Sequence, residues 1–456
     1  MARPSSLPER IQTRTVLGLA WPIMVSMLSY TAMSVVDTIF VGRLGTAPLA
    51  GIGLAMTAVW LLHAPINGLL SGLKVAISQR VGAEDEYAAG RLIWQGLWLA
   101  GIAGVIVAAA GPLGEPLFAL MGGSEAVNAH ATGFFIIRLS GAPMMFAILS
   151  MNAWFHGHGE TRTPMIATLI CNAVNIALDP ILIFGIDSLP GYGVQGAAAA
   201  TVAGLTAGAL WLAWQLRSEL PDSAHHLERR WLREIWHLGS PIGARYLLEV
   251  ASFVIFAAML ARVGDAQLAA HVIVIRIISV SFLPGYAIGE ATSVLVGQAI
   301  GARQPALARE AWRRAMELAV GIMAVFGVIF WLLPEPLLLP FSVTTSVSEI
   351  AIGLMLVAAL FQIFDAVAMV SLSALNGAGD VRFTMILSVG AAWFVKLPIG
   401  WLLAMPLSMG AVGAWIGLTA EIIAIAGLTW WRIRGHAWLE KGLGTADDSR
   451  DKAIAK

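Results

Sequence analysis

The sequence predicts an all-α membrane protein: 12 transmembrane helices in two pseudo-twofold-related six-helix lobes. Three observations lead there: an apolar composition, twelve apolar runs of helical length, and an internal repeat that divides the runs six and six. Of 456 residues, 58% are hydrophobic and only 12% are charged. Soluble domains carry about 25% charged residues, so this chain has too little charge to cover a water-facing surface. The apolar runs fall at roughly 15–41, 47–77, 92–113, 131–154, 165–186, 196–216, 236–262, 268–299, 312–333, 350–374, 383–405 and 411–432. Continuous runs of this length exclude a porin-type barrel, whose strands are short and alternate in polarity.

Charge sets the orientation. Lys+Arg and Asp+Glu are both 28, so no basic excess points to a nucleic acid partner. Of the 28 bases, 21 lie before span 1, in the loops 2–3, 4–5, 6–7, 8–9 and 10–11, or after span 12. The opposite loops hold Arg43 and Arg262, and five bases lie within spans: Lys74, Arg138, Arg245, Arg276 and Lys396. Positive charge stays inside, so both termini are expected in the cytoplasm of a multi-pass cell inner membrane protein with a short cytoplasmic C-terminal tail. The first residues, MARPSSLPERIQTRT, show no cleavage pattern, so the first span is expected to be retained. The single cysteine, Cys171, excludes an internal disulfide and a cysteine-based metal site.

The repeat appears when Pro22 is aligned with Pro241. Arg43 then falls on Arg262, Gly45 on Gly264, Pro65 on Pro284, Gln79 on Gln298 and Gly82 on Gly301. One residue further on in offset, Gly157, Gly159 and Arg162 fall on Gly377, Gly379 and Arg382, and GVQGA (193–197) matches GAVGA (410–414). Chance alignment of apolar sequence seldom puts Arg, Gln, Pro and Gly in register. Residues 1–220 (helices 1–6, the N-lobe) and 221–456 (helices 7–12, the C-lobe) are therefore read as two copies that enter the membrane the same way. Two such lobes suit alternating access. No G-x-x-x-x-G-K-[ST] loop is present, so the energy of a transporter would come from an ion gradient. No enzyme is expected, and no cofactor beyond a coupling proton or sodium ion.

Charges inside spans are expensive, about 2.5–3.5 kcal/mol each at a helix centre, and each needs a reason. Asp37 lies late in span 1, beyond Pro22, whose ring removes a backbone hydrogen bond and makes a hinge there. It is a candidate cation-binding carboxylate, unless it pairs with Arg43. In span 5, Asn172, Asn175 and Asp179 are spaced i, i+3, i+7 and share one helix face. If Asp37 and Asp179 are close, they can hold one proton or one sodium ion. In the C-lobe, Glu249 stands four residues after Arg245, which permits an ion pair. Glu290 in span 8 either binds substrate or pairs with a base such as Arg276. Glu421 is read as structural, near the basic end of span 12. His156 and His158 sit among glycines in a short loop, and a turn explains them better than a metal.

Several stretches resemble the multidrug and toxic compound extrusion (MATE) family: AWPIMVSMLSYTAMSVVDTIFVGRLG (20–45), HGHGETRTPM (156–165), LDPILIFG (178–185) and ATSVLVGQAIGA (291–302). They lie in both lobes. The loop QRVGAEDEYAAGR lacks the basic signature of the major facilitator class. The resemblance implies that Asp37, Asn175 and Asp179, with Thr201 as a further member, form the cation site of the DinF-like branch. It also implies that Glu249 and Asp365 match the C-lobe pair of the NorM-like branch. Phe361 stands where that branch has a tyrosine, so a hydroxyl ligand is missing. The implied function is a monomeric, cation-coupled antiporter in the bilayer that exports amphipathic, often cationic, small molecules. The alternatives are a lipid-linked precursor flippase of the same wider superfamily, and a channel or sensor.

Overall fold

Every apolar run in the sequence forms helix. The computed structural model describes residues 10–186, 189–220, 226–341 and 343–442; residues 1–9 and most of the expected C-terminal tail lie outside them. The first half of the chain forms α1 (Thr13–Gly42), α2 (Thr46–Gly82), α3 (Glu86–Ala109), α4 (Gly114–Leu120), α5 (Glu125–Ser140), α6 (Ala142–Gly157), α7 (Arg162–Phe184) and α8 (Gly193–Leu216). The second half forms α9 (Arg229–Val263), α10 (Asp265–Gly301), α11 (Pro305–Leu332), α12 (Pro334–Leu338), α13 (Thr345–Gly377), α14 (Val381–Ala391), α15 (Leu397–Ala404) and α16 (Gly410–Arg434). Two short strands, β1 (Gly185–Ile186) and β2 (Leu189–Pro190), pair antiparallel after α7. Among the described residues, eleven helical spans are long and apolar enough to cross a membrane, and the α5–α6 pair makes twelve. The protein is thus a twelve-helix membrane protein of two six-helix lobes.

Two spans depart from the straight runs expected. The run 131–154 is α5 and α6, joined at a 46° bend. Gly141 sits at the break, and Pro143 occupies the start of α6, where a missing N–H costs nothing. The run 383–405 is α14 and α15 joined by a π turn, Ala392–Lys396. Pro398 has no N–H for the carbonyl one turn before it, and the Leu397 N–H bonds back to Ala392 O instead. Elsewhere, α1, α2, α7, α9 and α10 run through Pro22, Pro65, Pro180, Pro241 and Pro284. Membrane helices tolerate this because neighbouring groups re-satisfy the freed carbonyls.

The chain packs as two compact units. One comprises Pro22–Val81 and Asp85–Gly243. The other begins at Ala244 and includes the start of α1 through Trp21 and the turn Gly82–Glu84. The packing boundaries therefore fall inside α1, at Pro22, and inside α9, close to Pro241. In the first unit, Gly68 and Gly72 of α2 lie directly against Gly243 and Gly239 of α9, where any Cβ would strike backbone. Small residues four apart on both helices permit this approach. The same unit ties down the mid-chain connection. Arg80 meets Glu234 at 3.0 Å, and Gln95 bonds both His226 O and the Glu228 N–H at 2.9 Å. Its core centres on Phe118, Phe134, Phe135 and Phe146; that of the second unit centres on Phe256, Phe330, Phe361 and Trp415.

Candidate cation site

Helix α7 supplies the polar face that its spacing predicts. Asn172, Asn175 and Asp179 are 4%, 1% and 0% exposed, on a helix whose other faces are apolar. Asn172 Nδ2 donates to Ser29 Oγ of α1 at 2.6 Å. Asn175 Nδ2 reaches Asp179 Oδ1 at 3.5 Å and Thr201 Oγ1 of α8 at 3.4 Å. Asp37 of α1 lies beside Asp179, so the two carboxyl groups act on each other. Four of the residues named from the sequence, Asp37, Asn175, Asp179 and Thr201, are thus brought together, with Asn172 one turn away on α7.

The geometry asks for a positive partner. Two carboxyl groups repel unless a proton or cation lies between them. Asp37 Oδ1, Asp179 Oδ2 and Asn175 Oδ1 are all buried without a hydrogen-bond partner. A buried acceptor left without a donor costs roughly 1–3 kcal/mol, so three in one cluster point to a ligand that accepts lone pairs. Asp37 and Thr201 also line a cavity of about 90 Å³, together with Tyr30, Met33, Phe134 and Arg138.

In the sequence, Arg138 is legible only as a base within a span. In the fold it is 4% exposed on α5, lies beside Tyr30, and acts electrostatically on Asp37. The signal available is a guanidinium deep inside an apolar run, which has the same need for a reason as a carboxylate. Arg43, the alternative partner of Asp37, instead lies over the Phe40 ring at 5.9 Å.

The C-lobe is arranged differently. Glu249 sits beside Arg245, Nε to Oε1 3.8 Å, the pair that the i, i+4 spacing allows. Asp365 and Glu249 each lie within electrostatic range of Glu421. Glu421 is held by Lys396 at 3.2 Å, in a site where Lys396 is 0% exposed. The anchor of Glu421 is therefore this buried lysine rather than the basic helix end. Phe361 is a core residue packed against Trp415, with ring centroids 6.3 Å apart. Glu290 neighbours Tyr286, one turn before it on α10. Arg276 lies about 21 Å away along the same helix, so the two do not pair. His158 closes the turn after α6: its ring bonds Trp154 O at 2.8 Å and Glu86 at 3.1 Å. No group of three or more metal-binding side chains occurs among the described residues.

Comparison with known proteins agrees with this architecture. The MatE family model matches residues 22–181 and 241–402, so its second match starts 219 residues after the first, at Pro241. The chain is 30% identical to the probable multidrug resistance protein NorM of Thermotoga maritima, over 90% of this chain and 89% of that protein. It is also 30% identical to the multidrug resistance protein NorM of Burkholderia vietnamiensis, over 95% of this chain and 96% of that protein. Crystal structures of MATE in a bent and in a straight conformation each match with TM-score 0.86 at 24% identity, over 93% of this chain and 96% of theirs. A MOP superfamily transporter from Pyrococcus furiosus, whose binding pocket is described as having reverse polarity, matches with TM-score 0.86 at 24% identity, over 92% of this chain and 95% of that one. With a family model spanning most of its length and relatives aligned almost end to end, the chain belongs to the MatE family of membrane transporters.

Proposed function

We propose that the protein is a cation-coupled antiporter that exports amphipathic, often cationic, small molecules across the cytoplasmic membrane. It works as a monomer, with both termini cytoplasmic. One observation carries the reading: Asp37 lies beside Asp179, and one oxygen of each, with Asn175 Oδ1, is buried without a donor. A proton or a sodium ion entering from outside binds there, with Asn175 and Thr201 completing the site. The bound cation neutralises the carboxylate pair and changes the bend of α1 at Pro22. Pro22 inside α1, which removes one backbone hydrogen bond, supports the hinge. The bend is the two-state element that both ligands must bias for coupling to have a cause. The relatives named for multidrug resistance favour drug export over flipping of lipid-linked precursors.

The test is dye export from proteoliposomes with pH and sodium gradients imposed separately. Asp37→Asn is expected to abolish gradient-driven export while the purified protein stays monodisperse. Unchanged transport by that variant sinks the N-lobe mechanism.

A further inference from the structure

The internal repeat pairs spans 1, 5 and 6 with spans 7, 11 and 12. In the first lobe, spans 1, 5 and 6 supply Asp37, then Asn175 and Asp179, then Thr201. In the second lobe, spans 7, 11 and 12 also build a buried polar site, from Ser252, Lys396 and Glu421. Its contents differ: a base stands beside the carboxylate. Lys396 Nζ donates to Ser252 Oγ at 2.9 Å and lies 3.3 Å and 3.2 Å from the two carboxylate oxygens of Glu421. It also sits 4.1 Å over the centre of the Phe253 ring, whose electron-rich face attracts a cation. Three oxygens and an aromatic face around one point make a small-cation cage, and an ammonium group is close in size to a potassium ion. The π turn Ala392–Lys396 ends on the lysine. In α7 the corresponding part of the repeat carries Asn175 and Ile176 and no base.

The two lobes also differ in what they leave unpartnered. The N-lobe site has three buried oxygens without a hydrogen bond, whereas both oxygens of Glu421 face Lys396 and Ser252 Oγ accepts from it. Two further carboxylates lie within electrostatic range of the cluster: Glu249, which has Arg245, and Asp365. We propose that Lys396 is a built-in cation that fills a C-lobe site built by the three spans that pair with those of the coupling site. This cage then takes no free alkali ion, and the proposed coupling is left to the N-lobe site. The fixed ammonium neutralises Glu421 permanently, so the cage keeps one charge state through a cycle in which the N-lobe site changes its own.

The confinement of coupling to one lobe rests on the function proposed above, but the occupancy of the cage is read without transport. Cation binding to purified protein in detergent is measured with radioactive sodium, and by the thermal midpoint in sodium, potassium or methylammonium chloride. The background is Asp37→Asn, which removes the N-lobe site. With Lys396 in place, no Glu421-dependent binding of these ions is expected. Lys396→Ala is expected to gain one saturable site per chain and to be stabilised by methylammonium, a gain that Lys396→Ala/Glu421→Gln loses and Lys396→Arg never shows. A folded Lys396→Ala that binds none of the three cations overturns the proposal. So does sodium binding with native Lys396 that disappears in Glu421→Gln, a result that needs no lysine variant to fold.

Discussion

Two identical substitutions on one helix should have opposite effects. On α16, Gly417 faces α15. A Cβ placed on it would stand 2.5 Å from Gly400 N, 2.6 Å from Gly400 Cα and 2.8 Å from Lys396 O, all backbone atoms. Ordinary contacts begin about 1 Å further out, so Gly417→Ala must push α15 and α16 apart by that order, and overpacking of this kind costs about 1–3 kcal/mol. A radial gap of that size also forfeits a quarter to a half of the dispersion energy of the contacts it opens. Ala gains up to about 1 kcal/mol over Gly in a helix interior, which does not offset these losses. Gly427 lies ten residues on, with nothing within 4 Å of the same added atom. Gly427→Ala keeps the helical gain and should stabilise by about 0.5–1 kcal/mol. Glu421 is one turn beyond Gly417, so the separated helices should also loosen its bond to Lys396. The assay is thermal unfolding in one detergent, with wild type, both single variants and Gly417→Ser run side by side. Equal midpoints for the two alanine variants, or a lower one for Gly427→Ala, would refute the reasoning.

Two further outcomes follow from single contacts. Arg138 places a positive charge near Asp37, so Arg138→Met should tighten binding of the coupling cation by roughly tenfold, the equivalent of about 1.4 kcal/mol, while Arg138→Lys should not. The half-saturating cation concentration for dye export reads this, and an unchanged value counts against a role for Arg138 at the site. Trp415 Nε1 donates to His271 Nδ1 at 3.1 Å, with both residues buried. Trp415→Phe keeps an aromatic ring but removes the donor, and should destabilise by about 1–3 kcal/mol in thermal unfolding.

The grouping of Asn172, Asn175 and Asp179 is legible in the sequence, because the pitch of a single helix fixes it. The partners of that face are not legible from spacing. Asp37 is far from Asp179 in the chain, and only the packing of α1 on α7 makes them meet; the family resemblance, rather than periodicity, points to that pair. The Lys396–Glu421–Ser252 cluster has no such pointer. Its members come from three helices, and each reads singly as an isolated charge or hydroxyl in an apolar run. Arg138 is hidden in the same way. The bend at Gly141 and the π turn before Pro398 are also invisible to hydropathy, which sees apolar length and is blind to the register of backbone hydrogen bonds.

By itself the sequence determined the twelve spans, their repeat and the polar face of α7. These depend on side-chain polarity and on the geometry of a single helix, which are local and therefore legible residue by residue. Tertiary structure decided which buried charges meet. A carboxylate inside an apolar helix is stable only with a partner, and that partner lies on another helix whose approach is set by packing. In one lobe the packing brings a second carboxylate to Asp37 and leaves oxygens without donors. In the other it brings a lysine to Glu421 and satisfies the site from within.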